Sequence, residues 1–115
     1  MRKAVVMKRL LPAIGCLGLI VAVGMPMNAA AGDAKKGKMV FDENCSMCHN
    51  SDSTEVKVGP GLKGLFKRAK LASGKAVNDA NVLNVINNGG DTMPPLGDAL
   101  KPAEKDNVIA YLKTL

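Results

Sequence analysis

Apolar residues recur at helical spacing in three separate stretches of the chain. Between Pro102 and about Thr114, Val108, Tyr111, Leu112 and Leu115 fall three and four apart and share one face. Pro102 suits the first helical position. Lys101 stands where Ser, Thr, Asp or Asn is expected, so this helix start reads as weakly capped. Between Asp79 and Asn88, Val82, Val85 and Ile86 share a face, with Asn78 as the cap and Gly89 as the stop. A further helix is predicted from Ala34 to about Asn44, behind Asp33 as N-cap. Its Gly37 and Phe41 lie four apart and so on one face. A glycine inside a helix costs roughly 1 kcal/mol against alanine, which makes sense where another backbone must come close. A short helical turn is expected around Leu65 and Phe66. The remainder reads as loop: NSDSTEVKVG before Gly59-Pro60-Gly61, and GGDTMPP with two glycines and two prolines in seven residues. No alternation of period two persists for any length, and no segment repeats. The fold class is all-α.

The apolar run from Leu10 to Met27 does not belong to this pattern. It follows a basic start (Arg2, Lys3, Lys8, Arg9) and precedes Asn28 and three alanines. That order is a secretory leader, cut after Ala31. Two other outcomes fit the same residues: an uncleaved membrane anchor facing the periplasm, and lipid attachment at Cys16, whose blander reading is one more apolar residue of the leader. The expected organisation is a leader at 1–31, one small domain at 32–115, and a periplasmic location.

Removing the leader changes the charge. The whole chain carries +6, but four of its 16 basic residues and none of its 10 acidic ones precede Gly32, so residues 32–115 carry only +2. That near balance argues against a nucleic-acid surface. One asymmetry survives: Lys63, Lys67, Arg68, Lys70 and Lys75 follow one another with no acid between them. They make either an ordinary solvated loop or a docking patch for an acidic partner. The domain has no Trp and only Phe41, Phe66 and Tyr111 as aromatics. A domain so small often needs a staple, and Cys45 and Cys48 alone could close only a tiny disulfide loop of little entropic value.

The chemistry concentrates in Cys45-Ser46-Met47-Cys48-His49, which holds two of three cysteines and the sole histidine. A redox dithiol would need a strand feeding a helix. A structural zinc site needs four ligands, and a lone disulfide leaves His49 unexplained. Cys-x-x-Cys-His is the attachment pattern of c-type haem. Two thiols three apart on one turn can form thioethers to the two vinyl groups on one porphyrin edge, and the next residue then brings its imidazole under the iron. Haem would also supply the apolar bulk that the chain lacks. The other iron face is left to a Met, a Lys or no protein ligand, because no second His exists. Met47 sits inside the attachment turn, and Met39 in the preceding helix is expected to pack in the core. Met93 lies in the stiff Thr92-Met93-Pro94-Pro95 loop, which suits holding a thioether on iron. Its alternative is a core plug.

The pieces GKMVF, CSMCH, GPGLKGLFKR, TMPP and NVIAYLKTL, spanning Gly37 to Leu115, resemble the class I monohaem cytochromes c of the small bacterial type. The resemblance implies three to five short helices wrapped around one covalently bound haem c, with His49 and Met93 as axial ligands. It implies that Gly37 and Phe41 cross the helix bearing Tyr111 and Leu112, that the Pro60 carbonyl accepts the other ring N–H of His49, and that Leu62 packs on the haem. The implied function is one-electron carriage between redox partner proteins outside the cytoplasm, by a monomer that forms transient complexes around Met47, Cys48 and the Met93 loop. The chief rival is a gas-binding or peroxidase-like haem protein with a labile sixth ligand. A second rival, a structural or metal-binding protein, predicts zinc or a disulfide.

Overall fold

The computed structural model describes Gly15 and residues 32–115. The expectations about the leader at 1–31, including Cys16, lie outside these residues. Three α-helices follow in order: α1 (Ala34–Asn44), α2 (Asp79–Asn88) and α3 (Pro102–Leu112), with a 3-10 helix at Leu65–Lys67 between α1 and α2. The only extended pairing among the described residues is an isolated antiparallel bridge between Lys70 and Ala76. None of the described helices is long and apolar enough to cross a membrane.

Each helix begins where a side chain can satisfy its free amides. The Asp33 carboxylate accepts from the N–H groups of Lys35 (2.9 Å) and Lys36 (3.2 Å) at the start of α1. Asn78 Oδ1 accepts from Asn81 N–H at 2.8 Å at the start of α2, and α2 stops at Gly89, whose φ is 73°. The start of α3 is better held than Lys101 suggested. The Glu104 carboxylate reaches back to the Lys101 N–H at 2.7 Å, which also places an acid against the positive end of the helix dipole. This helix ends at Leu112, two residues short of the expected limit, and Thr114 closes a turn on Tyr111.

The core is Val40, Phe41, Leu65, Val82, Ile86, Leu100, Val108, Ile109 and Leu112. α3 packs principally on α1. A Cβ placed on Gly37 would run into the Asn107 carbonyl and come within 2.8 Å of Tyr111 Cβ. The glycine is therefore the condition for the two backbones to touch. Asn107 also ties the helices from its side chain, accepting the Asp33 N–H at 2.8 Å. One turn along, Phe41 is 2% exposed and meets the Tyr111 ring at 5.5 Å between centroids, tilted by 58°.

Met39 does not pack in the core as expected. It is 64% exposed, because it falls two residues past Gly37 and one before Val40, away from the face that those residues bury.

Replacing Gly37 by alanine forces two backbones apart, with no flexible side chain to yield. Gly37→Ala is expected to destabilise the folded protein by about 3 kcal/mol, the upper end of the cost of overpacking. Denaturant unfolding of the holoprotein measures it.

Candidate functional site

The attachment turn is an unwinding of α1. The Phe41 carbonyl accepts both Cys45 N–H (2.8 Å) and Ser46 N–H (2.9 Å), and the Cys45 carbonyl in turn accepts Cys48 N–H (3.1 Å) and His49 N–H (2.9 Å). Cys45, Cys48 and His49 thus share one tight turn. Both thiols are free and half-buried. Burial pushes the Cys45 thiol up to about 11, with the neighbouring Cys48 adding to the shift. The attacking thiol of a redox dithiol is lowered instead, and burial gives Cys45 no such lowering. No group of three or more metal-ligating His, Cys, Asp or Glu side chains gathers among the described residues, so the zinc reading has no geometry behind it.

His49 is fixed by the loop that passes beneath it. Its Nδ1 lies 2.8 Å from the Pro60 carbonyl. A carbonyl can only accept, so Nδ1 carries a proton, and in the neutral ring Nε2 is then the nitrogen with the lone pair. The loop itself is laced to the attachment turn. Gly59 N–H donates to the Cys48 carbonyl (2.8 Å) and Leu62 N–H to the Asn50 carbonyl (2.7 Å), while Lys57 Nζ donates to the Ser46 carbonyl at 3.0 Å. A Cβ on Gly59 would collide with His49 Cε1 and stand 2.9 Å from Nδ1. Leu62 is half-buried against the core at the exit of this loop.

Two of these supports were not legible in the sequence as functional residues. Gly59 was visible only as part of a turn; that the ring leans on it is a tertiary fact. Arg68 counted toward the basic run, yet its guanidinium turns inward and donates to the carbonyls of Gly61 (2.8 Å) and Lys63 (2.7 Å). Through Nη2 it braces the loop that carries Pro60.

Met93 is half-buried in a loop folded back on the end of α2. Its carbonyl accepts Gly90 N–H at 3.0 Å, and beyond it Leu96 N–H donates to the Ile86 carbonyl (2.8 Å) and Gly97 N–H to the Asn87 carbonyl (3.2 Å). Met47, by contrast, is 82% exposed.

The residues present fit a haem: two free thiols on one turn, an imidazole with its tautomer set and Nε2 left for a metal, and a bare glycine where the ring turns. The class defined by fold and site is an all-α protein built to hold one covalently attached haem. Comparison with known proteins agrees. Residues 32–112 match the family described as cytochrome c oxidase, cbb3-type, subunit III. Cytochrome c6 of Rippkaea orientalis is 36% identical over 106 residues, 92% of either chain. Cytochrome c2 iso-1 of Magnetospirillum molischianum is 34% identical over 62% of this chain and 89% of its own. The crystal structure of cytochrome c6 from the diatom Phaeodactylum tricornutum superposes with a TM-score of 0.57 at 27% identity, covering 72% of this chain and 93% of that one. The chain belongs to the class I monohaem c-type cytochromes, carriers of single electrons on one covalently attached haem c rather than enzymes.

Gly59→Ala is expected to displace the His49 ring and lower the yield of low-spin holoprotein several-fold. Gly90→Ala, where an added Cβ meets nothing within 4 Å, leaves the yield unchanged. Absorption spectra of equal culture extracts compare the two.

Proposed function

We propose that Cys45 and Cys48 hold the haem through thioethers and that His49 Nε2 and Met93 sulfur bind the two faces of its iron. The observation that carries this reading is the His49–Pro60 hydrogen bond of 2.8 Å directly after Cys-x-x-Cys. It commits one ring nitrogen to the protein and leaves the other for the metal. When bound, the haem supplies a one-electron couple between ferrous and ferric iron. The chain supplies rigidity. His49 is held through Pro60, Pro60 through Gly59 and Arg68, and Met93 through the returns of Leu96 and Gly97 to α2. A thioether favours ferrous iron, so this ligand pair raises the potential. With His49 and Met93 both bound, no coordination position would remain for peroxide or a gas.

The partner is a redox protein met outside the cytoplasm, after export directed by residues 1–31 and cleavage following Ala31. The contact surface centres on exposed Met47, together with Val56 and Val58, which are also exposed. These residues lie on the two segments that Lys57 joins by its bond to Ser46. Lys63, Lys67, Lys70 and Lys75 are exposed and pair with no carboxylate among the described residues, which supports an acidic partner. The protein works as a monomer, and its complexes are small and short-lived.

Intact mass and optical spectra of the purified protein test the attachment. One haem is expected on residues 32–115, lost or sharply reduced in Cys45→Ala and Cys48→Ala. Met93→His is expected to lower the midpoint potential by on the order of 0.2 V, within the ~0.8 V span that axial ligation covers. An unchanged potential would mean that Met93 is not a ligand, and fast carbon monoxide binding by the reduced wild-type protein would favour the labile-ligand rival.

A further inference from the structure

The helical pattern of α3 carries one residue that the core does not explain. Lys105 lies three and four positions before Val108 and Ile109, both buried, and so on their face of the helix. It is half-buried, where lysine is ordinarily exposed. Its Nζ donates to the Gly97 carbonyl at 2.7 Å, in a partly buried bond. An ammonium donating to a neutral carbonyl in such a place is among the stronger single hydrogen bonds.

Gly97 is on the returning leg of the loop that contains Met93. Its N–H donates to the Asn87 carbonyl at 3.2 Å, beside the bond from Leu96 N–H to the Ile86 carbonyl at 2.8 Å. These two bonds hold that leg onto the last turn of α2. The Lys105 bond lies behind them and ties the same leg to α3. The surroundings suit a cation. Lys105, Gly97 and Asp98 line a polar cleft of about 410 Å³ with Asn87, Asn88 and Pro95, at the end of α2 where the helix dipole is negative. The Asn87 Oδ1 in this cleft is buried with no donor, while an ammonium has three N–H bonds to give. Asp98, the carboxylate in the cleft, does not take the ammonium as a salt bridge.

We propose that Lys105 is a positioning residue: by holding Gly97, it keeps the Met93 loop shut and so sets how readily the sulfur leaves the iron. The effect on the sulfur rests on Met93 being the ligand; the hold on the loop does not. A second tie of α3 to α2 provides the control. Lys113 Nζ pairs with Asp79 at 2.7 Å, at the opposite end of α2 from the loop. Lys113→Met therefore removes a lysine between the same two helices without touching the Met93 loop.

The experiment uses the holoproteins of wild type, Lys105→Met, Lys105→Arg, Lys113→Met and Met93→Ala. Hydrogen exchange of the Leu96 and Gly97 amides reads the loop, and imidazole titration of the ferric protein reads the sixth ligand. Lys105→Met is expected to speed exchange at both amides and to tighten imidazole binding about tenfold, the low end of what loss of a charged hydrogen bond costs. Lys105→Arg should recover most of both effects, and Lys113→Met should show neither. Unchanged exchange in Lys105→Met overturns the proposal. So does faster exchange with unchanged imidazole binding, or equal changes in Lys113→Met, which would mark a general loss of stability. Wild-type imidazole binding in Met93→Ala would instead overturn the ligand assignment, and the two amides would still decide whether Lys105 holds the loop.

Discussion

The close crossing of α1 and α3 is the constraint on which the rest of the molecule depends. It exists because Gly37 presents no side chain to the Asn107 carbonyl. Once the two backbones touch, the apolar faces beyond them are brought into register, and Phe41 closes on Tyr111. The position of Phe41 then fixes the attachment turn, since its carbonyl receives the first two amides of that turn. A packing decision made at one end of α1 is thereby delivered to the thiols at the other. With so few aromatics and no buried charged side chain among the described residues, the small core leaves its geometry to this contact.

The site is built in layers of backbone bonding. The attachment turn receives the 57–62 loop, and that loop returns the Pro60 carbonyl to the histidine that belongs to the turn. Each segment needs the other: the loop has no regular secondary structure of its own, and the imidazole has no other partner for Nδ1. Arg68 holds the loop from the far side through two carbonyls. The use of main-chain acceptors throughout suits a carrier. Neutral carbonyls do not change charge with pH, so the frame around the imidazole need not respond to it.

The helices were legible because their signals are local. Asp33, Asn78 and Gly89 mark boundaries by properties of one residue and its immediate neighbours. The cysteine pair and histidine were legible as a cluster because they fall within five consecutive positions, which one tight turn gathers. The glycine in α1 was legible as an oddity, a residue that needed a reason. The features that escaped were tertiary. The cap of α3 comes from Glu104, three residues beyond the capping position that Lys101 fills. Met39 looked like a core residue because methionine is apolar, whereas its angular place on α1 decides otherwise. Arg68 stands in the sequence as one more positive charge, while in the fold its Nη2 also braces the loop through two carbonyls. Gly59 gave no signal of its own, because the ring that would strike a Cβ there lies ten residues away in sequence.

The way the turn hangs from α1 bears on how sequences of this kind can change length. Phe41 is locked in the core and Cys45 begins one helical turn later, so an added residue between them would swing both thiols about 100° around the helix axis. The span from Phe41 to His49 is thus closed to insertion or deletion. The segment from Ala69 to Val77 is the reverse. It closes on itself through the Lys70–Ala76 bridge and the bond from Val77 N–H to the Ala69 carbonyl, and a longer tip would leave both of its ends where they are. Natural length variation should therefore gather in that outer loop, while the distance from core to cofactor stays constant.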